Sequence, residues 1–284
     1  MKSNRALVLL ILMSLIALSC KDNSEPIVII PDDFHASVDK VVEIMVHDIF
    51  SPPVASRIFA YPNIASYEII AQNDTAYRSL KGQIPHLKSI PKADKTKNIN
   101  YQLAALIAHI DVSKRLIFSE DKIEKFRDSL YQIWDSKNKS EFEASKTYAL
   151  QVSNFIADWM NGDNYNETRT MSKFTIDPTN EARWQPTPPA YMDGIEPHWM
   201  KIRTLVLDSS SQFKPIPPPK FSLEKDSQFY KELLEVYDVS MDITKKGDAS
   251  EEIEIAQFWD CNPYVSVTRG HLMFATKKIT PGAH

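Results

Sequence analysis

Glycine is scarce in this chain: six among 284 residues, at Gly82, Gly162, Gly194, Gly247, Gly270 and Gly282. Neither a G-x-G-x-x-G dinucleotide turn nor a phosphate-cradling P-loop can be written on so few and so scattered glycines, which excludes those two enzyme classes. Cysteine is nearly absent, with only Cys20 and Cys261. There is no C-x-x-C, and the seven histidines form no i, i+4 pair and no H-E-x-x-H, so the usual zinc signatures are missing. No G-x-S-x-G nucleophile elbow occurs either. Basic charge is not in excess: 33 Lys and Arg against 37 Asp and Glu give a net charge of −4, and no basic run gathers on one helix. That argues against a nucleic-acid binder held by phosphate contacts. Period-two alternation is nowhere sustained, which removes the sheet classes.

What is present suffices for a core, since 43% of the residues are hydrophobic and 25% charged. The N-terminus reads as an address. Lys2 and Arg5 precede the apolar run from Ala6 to Ser19, which is too short to span a bilayer comfortably, and Cys20 follows the small Ser19. This resembles a bacterial lipoprotein signal, in which the cysteine is acylated and becomes the first mature residue. Lys21 after it resembles lipoproteins sent to the outer membrane. The expected division is a signal peptide over 1–19, a tether over 20–32 and a helical domain over 33–284. Such a chain would be exported and anchored to a membrane surface by lipid, because no later segment approaches a spanning length. With Cys20 acylated, Cys261 would have no disulfide partner.

Helical spacing takes over after the tether. Asp32 or Asp33 is expected to cap a helix carrying Val38, Val41, Val42, Met45 and Ile49, which stops at Ser51-Pro52-Pro53. A second helix is expected from Pro53 to about Leu80, kinked at Pro62, with small residues that let another helix approach closely. A third covers Asp94 to Phe118. Ser119 then caps a fourth, with Ile123, Phe126, Leu130, Ile133 and Trp134 as its stripe. Ser140 and Glu143 form a capping box for a fifth, and Asn161-Gly162 ends it with a residue tolerant of positive φ. Near the C-terminus, Phe229, Leu233, Val236 and Tyr237 mark one helix. Asp248 and Glu251 cap another, with Ile253, Ala256 and Trp259 inward. The fold class is all-α: a helical bundle joined by long proline-rich straps.

Those straps occupy 183–221. Two proline clusters, Pro186/Pro188/Pro189 and Pro215/Pro217/Pro218/Pro219, require extended backbone, and Trp184 and Trp199 supply faces that could pin it to helices. The residues leave open a rigid inter-helix strap, an aromatic ligand groove or a docking site for another protein. Candidate chemistry is sparse. His47 and His109 read as satisfied helix histidines; the adjacency of His47 and Asp48 makes no ready acid/base pair. The polar loop from Asp163 to Thr170 lacks the alternating carboxylates of a calcium loop. In Thr268-Arg269-Gly270-His271, Arg269 and His271 beside a glycine could grip an oxyanion.

Four segments together carry a resemblance: SPPVASRIFAYPNIASYEII over 51–70, RWQPTPPAYMDGIEPHWMKIR over 183–203, QFKPIPPPKF over 212–221 and EIAQFWDCNPY over 254–264. They resemble the N-terminal helical half of the vanadium-dependent haloperoxidases, in particular their bacterial lipoprotein-type members, within the type-2 phosphatidic acid phosphatase superfamily. The resemblance implies a helical enzyme whose pocket holds vanadate or phosphate and stabilises its charge with cationic side chains and backbone amides. It implies peroxide-driven halide oxidation, or phosphatase chemistry on an attacking histidine, with a small-molecule or oxyanion substrate. The motifs it also implies, a lysine and arginine, then Pro-Ser-Gly-His, then an arginine and histidine, are not in this sequence. The catalytic role is therefore not carried onto Arg269 and His271. Thr280-Pro281 reads as a helix start with no helix after it. The expectation is the front part of a haloperoxidase-like fold, inactive as residues 1–284, with no catalytic residue of its own and no vanadate bound by this chain alone. The competing classes are a non-enzymatic, lipid-anchored helical surface binding protein and a relative that kept the scaffold and lost the site.

Overall fold

Apolar residues at helical spacing build the long helices of the computed structural model, which describes residues 25–247 and 250–259. Among these residues there is no named strand, only an isolated bridge between Lys81 and Ile84. Helix α1 runs Pro31–His47, α2 Pro52–Asn73, α3 Tyr101–Lys114 and α4 Glu120–Asn161. A single turn, α5, covers Tyr165–Thr168, and a 3-10 turn covers Trp199–Lys201. Helices α6, Gln228–Lys246, and α7, Glu251–Trp259, follow the straps. The all-α expectation is met.

Helix α3 is the centre. Leu103, Ala104, Leu106, Ile107, Ala108, Ile110 and Val112 are all fully or nearly fully buried, so this helix is apolar around its circumference rather than on one stripe. It packs chiefly between α2 and α4. The small residues of α2 do permit close approach: Ser66 Oγ donates to the carbonyl of Ala105 on α3 at 2.8 Å.

Polar side chains near the helix ends set the boundaries, and several differ from the expected ones. Helix α1 starts at Pro31, before either aspartate. Asp33 closes its first turn in reverse, with Oδ2 accepting from the Ile30 N–H at 2.9 Å. Helix α2 stops at Asn73 rather than Leu80. The buried Glu68 carboxylate accepts from Leu80 N at 2.6 Å and Ser79 Oγ at 2.8 Å, which turns the chain back along the helix. Helix α3 begins at Tyr101 because Asn100 Oδ1 accepts from Leu103 N at 3.1 Å. The expected fourth and fifth helices run on as α4, broken at Asn138 with φ −155° and ψ 88°. Asn138 Oδ1 accepts from Glu141 N at 3.1 Å, so the cap of the second half is Asn138 rather than Ser140. In the first half Ile123 and Trp134 are buried as expected, while Ile133 is exposed. At the end of α4, Gly162 stays at φ −88°, and the left-handed residue is Asn164 at φ 72°.

The C-terminal elements depart furthest. No residue of α6 is buried, although Ser227 caps it by accepting from Tyr230 N at 3.2 Å. In α7, Ala256 is exposed and Trp259 is 64% exposed, so neither points inward. Trp199 does pin its strap to the bundle edge beside Tyr165. Trp184 is half-exposed against Phe174, and the second proline cluster stands in solvent, with Ile216 91% exposed. No described helix is long and apolar enough to cross a membrane. Cys20, Asp248, Cys261, Arg269, His271 and Thr280 lie outside the described residues.

Candidate functional site

Asp163 follows the glycine that ends α4, and its side chain turns inward, toward α2. Oδ1 accepts from its own near neighbour, Tyr165 N, at 2.9 Å, an Asx-type turn that starts α5. Oδ2 accepts from Arg57 Nε at 2.7 Å and from the Tyr61 hydroxyl at 2.8 Å, both on α2. The Asp163 carbonyl accepts from the backbone N–H of Arg203 at 2.9 Å, and Asn164 Nδ2 donates to the carbonyl of Lys201 at 3.0 Å. One turn therefore ties α2, the end of α4 and the strap together.

The two arginines are held by aromatic faces as well. The Arg57 guanidinium lies 4.3 Å from the Tyr165 ring centroid and 5.1 Å from that of Tyr61. Arg203 stacks over Trp159 at 4.4 Å, and its Nη2 donates to the Tyr61 oxygen at 3.1 Å. Burial pushes the Tyr61 phenol well above its ordinary range, and the Asp163 carboxylate beside it pushes the same way. Tyr61 therefore stays a neutral relay, accepting from Arg203 while donating to Asp163.

Above this network lies a cleft of about 390 Å³. Arg57, Tyr61, Asp163 and Arg203 are among its polar residues, with the hydroxyls of Ser56, Thr204 and Ser210, and Trp199, Ile202, Leu205 and Val206 are among its apolar ones. A second opening of about 450 Å³ between the end of α2 and the start of α3 is lined by Asn73, Asp74, Tyr77, Tyr101 and Gln102, with no cationic group. Among the described residues no cluster of three His, Cys, Asp or Glu side chains could hold a metal ion.

The two helix histidines, His47 and His109, have structural partners. His109 is buried on α3, sharing a 2.7 Å hydrogen bond with Ser37 Oγ and packing against Phe34. His47 and Asp48 do share a hydrogen bond, at 3.1 Å, at the end of α1, where Asp48 is the C-cap and the chain turns left-handed at Ile49, φ 58°. Asp48 spends most of its capacity elsewhere, accepting from Phe118 N and Ser119 N at 2.9 Å each. In the loop beginning at Asp163, that aspartate's Oδ2 is taken by Arg57 and Tyr61. Sequence reasoning missed Arg57 and Arg203. Arg57 carried a signal, a charge set between Val54 and Ile58 on the apolar face of α2; Arg203, in a strap without periodicity, carried none.

The chain is similar to the crystal structure described as the first bacterial vanadium-dependent iodoperoxidase, with 64% sequence identity, a TM-score of 0.84 and 86% of this chain covered. The chain spans 59% of the length of that protein. No family model and no curated protein matches the chain.

Proposed function

The chain is a helical member of the haloperoxidase-like superfamily, and from that premise we propose that it is the scaffold half of a vanadium-dependent, peroxide-driven halide oxidase, with the vanadate-binding motifs outside residues 1–284. The observation that carries this reading is 64% identity across most of this chain, set against a span of only 59% of the relative. The cleft over Asp163 does not supply those motifs, since no histidine lines it. The exposed apolar face of α6 supports the same reading, because a scaffold that packs against further chain must keep such a face. The N-terminal sequence supports acylation at Cys20 and an outer-membrane lipid anchor, with the helical domain held at the membrane surface.

Two measurements test this. The purified chain, given vanadate, peroxide and iodide, should form no triiodide; sustained turnover would overturn the reading. The coding frame past the codon for His284 should read a Lys/Arg element and then Pro-Ser-Gly-His or a close variant; an immediate stop in an intact gene would favour a non-enzymatic, lipid-anchored binding protein.

A further inference from the structure

The cleft over Asp163 holds more positive charge than its own carboxylate answers. Arg57 and Arg203 bring two permanent charges, and Asp163 is the only acidic residue in the lining. Tyr61 does not alter the balance, since its phenol stays protonated. The floor therefore carries one unanswered positive charge, and it is a rigid one. Arg57 is nine-tenths buried, clamped between two tyrosine rings and fixed through Nε to Asp163. Arg203 is stacked on Trp159 and fixed through Nη2 to Tyr61.

Donors remain on both guanidiniums. Arg57 makes its one hydrogen bond through Nε, and among the described residues its Nη groups donate to nothing. Arg203 Nε is buried with no partner. Buried donors in a native fold are nearly always satisfied. Arginine presents its free N–H groups as a planar fork that fits a carboxylate.

The wall is of another character. Trp199, Ile202, Leu205, Val206 and Leu207 supply apolar surface, and Val206 is 81% exposed. A volume of 390 Å³ lies at the low end of the ~300–1,000 Å³ found for small-molecule sites. A ligand that suits both floor and wall has one negative charge and an apolar body. A phosphate dianion would overshoot the single unanswered charge and leave the wall empty.

We propose that this cleft binds a small organic carboxylate with an apolar tail, its head on Arg203 and Arg57 and its tail along Trp199, Ile202 and Val206. The site is complete within the described residues and does not rest on the haloperoxidase reading. It holds no redox or transfer chemistry of its own; it is a binding site.

The test is calorimetric titration of the purified full chain with three probes: octanoate, octan-1-ol and inorganic phosphate. Octanoate should bind at least about tenfold more tightly than either of the others, the margin expected when a charge-assisted pair is added to an apolar contact. Val206→Asp, at an exposed position of the wall, should lower octanoate affinity by about tenfold or more through like-charge repulsion, with the fold intact by circular dichroism. Arg203→Met should do the same, with partial recovery in Arg203→Lys. Equal binding of octan-1-ol overturns the carboxylate assignment, and equal binding of phosphate overturns the tail. Unchanged affinity in Val206→Asp places octanoate on the exposed apolar helices instead and overturns the site. Should Arg203→Met fail to fold, Val206→Asp still decides.

Discussion

Arg57 Nε and Asp163 Oδ2 meet at 2.7 Å across 106 residues of sequence, and both side chains are almost wholly buried. A buried pair of this kind is sensitive to removal of one partner, because the charge left behind has no water to answer it. Asp163→Asn keeps the shape and removes the charge; it should destabilise the fold by about 3–5 kcal/mol in urea denaturation. Arg57→Met, which removes the other charge, should cost a comparable amount. The double variant should cost less than the sum. Additive losses would show that the two groups are stabilised separately, and would remove Asp163 as the organising residue of the site.

Asp48 joins the end of α1 to the start of α4. Its carboxylate accepts from Phe118 N, Ser119 N and the Ser119 hydroxyl, which gives the first turn of α4 an anion where the helix dipole is positive. Ser119, placed as the N-cap, makes no side-chain bond to its own helix and serves Asp48 instead. Burial tends to raise the Asp48 pKa, but the hydrogen bonds from Ser119, His47 and Phe118 together hold it below the ordinary carboxylate value. A depressed folded-state pKa contributes stability that is fully present above the unfolded value and lost as pH falls through the folded one. Asp48→Asn should therefore cost about 1–2 kcal/mol at neutral pH and much less in acid. Equal losses at neutral and acid pH would assign the effect to packing rather than to charge.

Helix existence was legible wherever an apolar stripe did the packing: Val41, Val42 and Met45 in α1, and Tyr148, Val152, Ile156 and Trp159 in α4, are buried as their spacing requires. Helix ends were less legible, because several polar side chains near each end compete to cap it. Glu68 stops α2 from within it by taking the Leu80 amide, and Asn138 breaks α4 two residues before the capping box that sequence favoured. In each case a polar side chain outbid the local signal because it was buried and had to find a partner. The site was less legible still. Asp163 looked like a surface loop residue until α2 brought Arg57 and Tyr61 to it, and no spacing rule links residues so far apart. Arg269 and His271, the oxyanion candidates, lie outside the described residues.

His109 sets a second pH dependence with a different origin. It is buried on α3 and pushed down to about 3 by desolvation. Above the ordinary imidazole pKa both folded and unfolded states hold it neutral, so it contributes no pH dependence there. As pH falls below about 6.5 the unfolded state takes up a proton that the folded state refuses, and stability is lost at up to about 1.4 kcal/mol per pH unit. The loss should run down to the folded value. His109→Gln, which can still bond Ser37, should flatten the stability profile between pH 6.5 and 4 whatever it costs at neutrality. A variant profile as steep as the parent's would assign that slope to other groups.

Helix α6 is well formed locally, and among the described residues none of its side chains is buried. Ser227 caps its start, Lys245 and Lys246 sit where the dipole favours cations, and Leu233, Val236, Tyr237 and Val239 nevertheless face solvent. A lone helix of 19 residues is marginal in water, and an amphipathic one gains most of its stability from the face it buries. Within the described residues that face supports nothing, so polar substitution there should be nearly free. Val236→Lys with Val239→Lys should change the global unfolding free energy by less than about 0.5 kcal/mol. The same pair should lower the binding of a hydrophobic dye and reduce self-association in gel filtration. A loss of more than about 2 kcal/mol would instead show that the face is packed, on chain outside the described residues or on a second copy. The dye and the unfolding curve together thus separate a face waiting for a partner from one that already has it.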